Sequence, residues 1–280
     1  MAEIFKPAEI KIYKNTSEMI AAFPEPLIHY ESDGVILLQD CGFEFDESYL
    51  STITLPVEMK KIGTREGITS CPFIFRDGGF LRTENPLCEI VEDDRLLLKI
   101  YSEFLRIELS FKLLVKEVFP TYHQINWDNC TFRFTKTRDE DLHLDSFNKG
   151  SRIPLHLQLP RLKFFLNLDK EARIWHVGPT LWDILKNSKE YLGCNLPDDL
   201  NMLCMHLNRS GVFERCPKVR LEIPSRGIIF ANGQTVMHQV VYGNRMVALE
   251  GFVPNEFLYT SFGSEWDKLK QWTKKFGYLS

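Results

Sequence analysis

Two histidines and an aspartate carry the chemistry this sequence suggests. His143 and Asp145 stand two apart in His143-Leu144-Asp145; His238 lies far downstream, just before the apolar run Val240-Val241-Tyr242. Residues i and i+2 of a strand point to the same face. His143 and Asp145 can therefore grip one metal ion from one side, and a distant strand can supply the third ligand. Two imidazoles and one carboxylate on one face leave coordination positions open, the facial set of non-haem Fe(II) oxygenases.

The pair alone is weak. Seven His and 38 Asp plus Glu in 280 residues give about one H-x-[DE] by chance. The chain has two, the other being His29-Tyr30-Glu31. That one has no matching set of strands after it and reads as the chance match. His143-Leu144-Asp145 follows a strand-like segment, Cys130-Thr131-Phe132-Arg133-Phe134-Thr135, and is followed by further strand signals.

Those signals define the elements that must position the ligands. Leu162 to Leu168 and Arg173 to Val177 read as strands with a turn at Asp169-Lys170-Glu171. Val219 to Ile223, Gly227 to Phe230, Thr235 to Met237 and Arg245 to Val253 read as strands too. Residues 96–120 carry a helical stripe ended by Pro120, a buttress for a sheet. Residues 1–95 read as short strands and loops, with a helix near Ser17 to Phe23. Residues 178–215 read as a helical insertion, and 264–277 as an amphipathic helix. The expected fold is α+β, one domain over 1–280. Its core is a double-stranded β-helix (jelly roll, cupin-like) over 125–254, with buttressing helices.

Composition excludes little but bounds the rest. With 44% hydrophobic and 26% charged residues the chain is of globular type. A net charge of −4 makes no case for nucleic acid. The seven cysteines are odd in number, scattered and without C-x-x-C, and read as reduced thiols in a cytosolic chain. The N-terminus has no signal-peptide apolar region, and no run reaches the ~20 apolar residues of a membrane span.

Four stretches resemble the Kdo hydroxylases, where Kdo is 3-deoxy-D-manno-oct-2-ulosonic acid. They are His143-Leu144-Asp145-Ser146-Phe147; Arg161-Leu162-Lys163-Phe164-Phe165-Leu166-Asn167; Arg173-Ile174-Trp175-His176-Val177-Gly178; and His238 through Phe252-Val253-Pro254. The likeness is best over 125–254. Two features depart from it: the family tends to carry a basic residue where this chain has His176, and the spacing from the Trp175 segment to His238 is longer. The resemblance implies an Fe(II)/2-oxoglutarate-dependent dioxygenase that uses O2 and takes its iron on His143, Asp145 and His238. It implies hydroxylation of carbon 3 of the outer Kdo of a lipid A precursor, giving the sugar Ko of the lipopolysaccharide inner core. In such oxygenases a basic residue opening the strand after the distal histidine clamps the far carboxylate of 2-oxoglutarate. Arg245 fits that place, and a guanidinium fork suits a carboxylate.

Arg161 and Lys163 are reserve candidates for the clamp. Their spacing puts both on one face of a strand, so they line a pocket together or face solvent together. Arg173, His176, Lys149 and Arg152 are candidate substrate contacts, the alternative being solvated edge charges. Trp175 either packs in the core or floors a sugar site. The Trp266/Leu269/Trp272 face of the last helix, ringed by lysines, either packs on the domain or docks on the anionic inner face of the inner membrane. Two other functions stay open: a 2-oxoglutarate hydroxylase of another small molecule or protein side chain, and a non-catalytic cupin-like sugar binder.

Overall fold

A computed structural model describes residues 5–53, 72–76, 79–80, 94–133, 137–145, 159–188, 196–197, 200–260 and 265–275. Lys149 and Arg152 lie outside the described residues, as does the side chain of Trp266.

Among the described residues, twelve strands form two sheets. They are β1 (Ile10–Tyr13), β2 (Val35–Leu38), β3 (Pro72–Arg76), β4 (Gly79–Phe80), β5 (Asn126–Arg133), β6 (Thr137–Arg138), β7 (Arg161–Asn167), β8 (Arg173–Thr180), β9 (Val219–Ile223), β10 (Ile228–Phe230), β11 (Val236–Gly243) and β12 (Met246–Phe252). The large sheet runs β1-β2-β10-β7-β12-β5-β3-β4 and the small one β6-β11-β8-β9. From β5 to β12 the chain passes repeatedly between them: β5, β7, β10 and β12 lie in the large sheet, and β6, β8, β9 and β11 in the small one.

Side-chain alternation builds two layers on the large sheet. Leu162, Phe164 and Leu166 of β7 and Val247 and Leu249 of β12 point outward. They meet the stripe Ile100, Phe104, Ile107, Phe111, Leu114, Val115 and Val118 of a helix, Asp94–Val118. Phe104 stacks on Phe132 with centroids 3.8 Å apart, and Phe164 meets Phe111 edge-on at 6.1 Å. Phe164 is fully buried, and its truncation to Ala would cost about 3–5 kcal/mol. Phe165 of β7 and Met246 and Ala248 of β12 point the other way. They pack on Trp175 and Val177 of β8, Leu221 of β9 and Val236 and Val240 of β11. This second layer fills the space between the sheets, and the candidate site is built at its two ends.

The helices, numbered in chain order, are α1 (Thr16–Ala21), α2 (Glu25–Glu31), α3 (Glu47–Thr52), α4 (Asp94–Val118), α5 (Leu181–Asn187), α6 (Leu200–Arg209) and α7 (Glu265–Lys275). α5 and α6 occupy the expected helical insertion and form a third cluster with Leu144, Met237 and Leu269. Thr180 caps α5 by accepting from Asp183 N. On α7, Leu269 is buried among α5 and α6, and the partly buried Trp272 stacks on Trp182. The second motif, His29-Tyr30-Glu31, is used structurally. His29 Nε2 lies 3.1 Å from Glu9 O and 3.2 Å from Val35 O; Glu31 accepts from Tyr122 Oη, Tyr259 N and Thr260 N. Cys41, Cys130, Cys204 and Cys216 are buried free thiols. Among the described residues no helix is long and apolar enough to cross a membrane.

Candidate metal and dicarboxylate site

His143 and His238 face each other across an isolated bridge. His143 N donates to His238 O at 2.9 Å, and His238 N donates to His143 O at 3.0 Å. Residues that exchange both bonds present their side chains on the same side, and the two rings lie 4.6 Å apart. Leu144 points the other way, into the helical cluster, and Asp145 returns to the face of His143. Asp145 N donates to Gly233 O at 2.7 Å. Asp145 Oδ1 is 4.0 Å from His143 Nε2 and 3.9 Å from His238 Nε2, and one ligand atom from each of the three residues falls within 4.8 Å of the others.

The ring orientations suit a cation. His143 Nδ1 lies 2.7 Å from Asp141 O, and His238 Nδ1 lies 3.0 Å from Val236 O. A carbonyl can only accept, so each Nδ1 carries a proton and each Nε2 is the nitrogen left to face a metal. Burial, reinforced by His143 and opposed by Asp145, pushes His238 down to about 4, so it is neutral at neutral pH. Burial raises the Asp145 carboxyl, but Lys163, His238, Arg161 and His143 together outweigh it and hold the group well below the usual range. For metal bonds of ~2.1 Å at right angles, ligand atoms stand ~3 Å apart. The observed separations need only a small inward rotation, so the residues fit a divalent metal. Glycine is required at 233: a Cβ there would lie 2.3 Å from Asp145 Oδ2 and 2.9 Å from His238 Cε1.

Arg161 and Lys163 line the interior together, as their spacing requires. Lys163 Nζ hydrogen-bonds Asp145 Oδ2, and Arg161 Nη1 stands 3.5 Å from the same oxygen. That leaves Oδ1 as the atom presented to the histidines. Glu250, which sequence reasoning missed, balances the cations: it lies 2.8 Å from Arg161 Nη2 and 3.3 Å from Lys163 Nζ. Its signal was a lone carboxylate in an apolar strand, opposite Lys163 in the register of β12 and β7. Burial raises Glu250, yet Arg161 and Lys163 hold it down to about 2.

The other end of the interior is different. Arg173 opens β8 and is 3% exposed. Val177, four residues on, pairs with His238, so the strand separates the two ends by roughly 13 Å. Arg173 lies across Gly243, where a Cβ would come within 2.1 Å of Nη1. Burial, then the neighbouring Arg133, pushes Arg173 down to about 10, against the pull of Glu140 and Asp169. Among the described residues, no carboxylate pairs with it at salt-bridge distance. Nε of Arg173, Nε of Arg133 and Nε1 of Trp175 are buried donors without acceptors among the described residues. Between the ends, Trp175 stacks on His238 at 5.2 Å and 19°, and meets Phe165 at 4.8 Å. It thus belongs to both the core and the site wall.

Two expected contacts are not brought to this interior. Arg245 shares the outward face of Val247 and Leu249 by alternation. Its guanidinium stands 3.5 Å from Asp169 and 3.3 Å from Ile53 O, and its backbone N–H also donates to Asp169. His176 lies on the outer face of the small sheet, its Nδ1 2.8 Å from Gln239 Oε1.

No family model matches this sequence, and no curated protein sequence matches it. Solved structures do. A Kdo hydroxylase, KdoO, described as a non-heme Fe(II) alphaketoglutarate dependent dioxygenase and solved with cobalt(II), aligns with TM-score 0.70 at 15% identity, covering 95% of each chain. The same enzyme with alphaketoglutarate and Fe(III) aligns with TM-score 0.66 at 14% identity, covering 94% of this chain and 95% of that one. With succinate and Fe(III) the TM-score is 0.66 at 15% identity. The chain has the fold of the solved Kdo hydroxylases over nearly its whole length.

Proposed function

We propose that this protein is an Fe(II)/2-oxoglutarate-dependent dioxygenase of the Kdo hydroxylase type, its two sheets forming a double-stranded β-helix. The passage of the chain between the sheets from β5 to β12 supports the jelly-roll reading. One observation carries the functional reading. A two-histidine, one-carboxylate set stands at one end of the interior between the sheets, and a buried arginine with no carboxylate at salt-bridge distance among the described residues stands at the other.

In this reading His143, Asp145 and His238 hold Fe(II) through Nε2, Oδ1 and Nε2. Arg173, with Arg133 beside it, takes the far carboxylate of 2-oxoglutarate in place of Arg245. The distance between the ends is one that an arginine side chain and a five-carbon diacid bridge together. Trp175 Nε1 offers a further donor along that path. Iron held on the triad would activate O2, the oxidant that turns a C–H into a C–OH as 2-oxoglutarate is converted to succinate and CO2. The chain's own part is positional. Lys163 and Arg161 keep the second oxygen of Asp145, Glu250 keeps those cations in place, and Phe165, Trp175, Val240 and Met246 keep water out.

The proposed acceptor is the outer Kdo of a lipid A precursor, hydroxylated at carbon 3 to give Ko in inner-core assembly. The fold shared with Kdo hydroxylases over 95% of the chain supports it. Lys149 and Arg152 remain proposed contacts to the acid groups of that acceptor. Such an acceptor would bring a cytoplasmic protein to the inner face of the inner membrane. The test incubates the protein with Fe(II), 2-oxoglutarate, O2 and a Kdo-bearing glycolipid. Succinate formation with one added oxygen on the sugar is expected. Succinate released only with a different acceptor would replace the substrate, and no metal-dependent succinate with any acceptor would leave a sugar-binding module.

A further inference from the structure

The turn at residues 232–236 holds two of the three candidate ligands. Gly233 O accepts from Asp145 N, and Val236 O receives His238 Nδ1. The third, His143, is tied to His238 through the paired backbone bonds. Whatever fixes this turn therefore fixes the whole set. Inside the turn, Thr235 N and Val236 N donate to Asn232 O, and Gln234 N donates to Asn232 Oδ1. From outside, Leu181 N donates to Thr235 O at 2.7 Å, Cys204 Sγ donates to Gln234 O at 3.5 Å, and the charged contact is Thr235 Oγ1 donating to Asp33 Oδ1 at 2.6 Å. Asp33 comes from the loop after α2, 202 residues away in sequence, and sits at φ 62°.

Asp33 is 5% exposed and Thr235 fully buried. A buried carboxylate is costly unless paired and hydrogen-bonded. Here the second oxygen, Oδ2, accepts from Trp182 Nε1 of α5 at 2.7 Å and from Lys268 Nζ of α7 at 3.2 Å. Lys268 Nζ also donates to Glu31 O at 2.7 Å. One carboxylate thus joins the end of α2, the start of α5, the C-terminal helix and the turn. Simple packing of these elements needs no charge. A carboxylate that accepts on both oxygens fixes direction as well as distance, which a metal site needs.

We infer that Asp33 is a positioning residue for the metal site, acting through Thr235 and the 232–236 turn and anchored by Trp182 and Lys268. This rests on the metal reading above. Loss of the Thr235–Asp33 bond lets Gly233 O and Val236 O drift, and with them Asp145 and His238. Residues that orient metal ligands are typically worth 10–100-fold in affinity. For a contact one step further out the expected effect is about tenfold, at the low end of that range.

The test is cobalt(II) titration of the whole apoprotein, followed by visible absorption, alongside thermal melting. Thr235→Val keeps the shape and removes the hydroxyl; Thr235→Ser keeps the hydroxyl. The expected result is cobalt binding weakened about tenfold in T235V at a retained cooperative melt, and restored to within about twofold in T235S. Wild-type affinity in folded T235V would overturn the inference and leave the metal reading intact. Failure of the wild-type protein to bind cobalt would overturn the metal reading itself. Should T235V not fold, Asp33→Asn carries the test. Its amide cannot accept at both ends, so weakened cobalt binding is expected there, and unchanged binding overturns the inference.

Discussion

The two ends of the interior use charge in opposite ways. At the triad end two cations, Arg161 and Lys163, face two carboxylates, Asp145 and Glu250, in close pairs. At the other end Arg173 is equally buried, pairs with no described carboxylate at salt-bridge distance, and stands beside a second arginine. A balanced buried cluster is a structural device. An unbalanced buried cation is expensive to keep, and the natural way to offset it is an anionic ligand. The first end is neutralised by its own pairs, and the second keeps a positive charge that the proposed 2-oxoglutarate carboxylate would offset.

Breaking the triad gives the largest expected effect. His143→Ala, Asp145→Ala and His238→Ala should each abolish metal-dependent succinate formation at a retained fold. Activity surviving in two of the three would move the metal elsewhere. Next comes Arg173→Met. Charged hydrogen bonds of about 1.5–3 kcal/mol predict a rise of roughly 10–100-fold in the 2-oxoglutarate requirement, with cobalt affinity unchanged. The same variant should melt higher than wild type when no dicarboxylate is present, because a lone buried charge is gone. An unchanged cosubstrate requirement would remove Arg173 from the role.

Glu250→Gln should act in the opposite sense on stability. It leaves Arg161 and Lys163 with less opposing charge and should cost about 3 kcal/mol. The sign with pH follows from the depressed carboxyl of Glu250, about 2 against an ordinary 4.5. Its stabilisation is full above pH about 4.5 and is lost as pH falls towards about 2. Melting curves from pH 7 down to pH 3 should therefore converge for wild type and E250Q, and a constant gap would contradict the pairing. Arg245→Leu should do least. Its contacts to Asp169 and Ile53 predict about 1 kcal/mol of stability and no change in the 2-oxoglutarate requirement. A raised requirement in R245L would restore the role first assigned to it.

The sequence made the triad legible because period two and one distant histidine are simple signals. It also made the shared face of Arg161 and Lys163 legible, and the long helix α4. It did not show which way Arg245 turns, because β12 is mostly apolar on both faces. Met246 and Ala248 face the interior, Val247 and Leu249 face α4, and nothing in that run marks which side is inner. The same ambiguity left the outward direction of His176 on β8 unread and hid Glu250. α2 was missed although Pro26 stands in its first turn, and the parallel β1–β2 pair was missed because its register is set across 25 residues. Asp33 had no local signal at all, since its partners are 149, 202 and 235 residues distant.

The most direct measurement is anaerobic titration of the wild-type protein with Fe(II) and 2-oxoglutarate, watched by visible absorption. The expected result is a metal-to-ligand charge-transfer band that requires both components and is absent in H238A. In R173M it should appear only at higher 2-oxoglutarate. No band in the wild-type protein at saturating Fe(II) and 2-oxoglutarate would contradict the account.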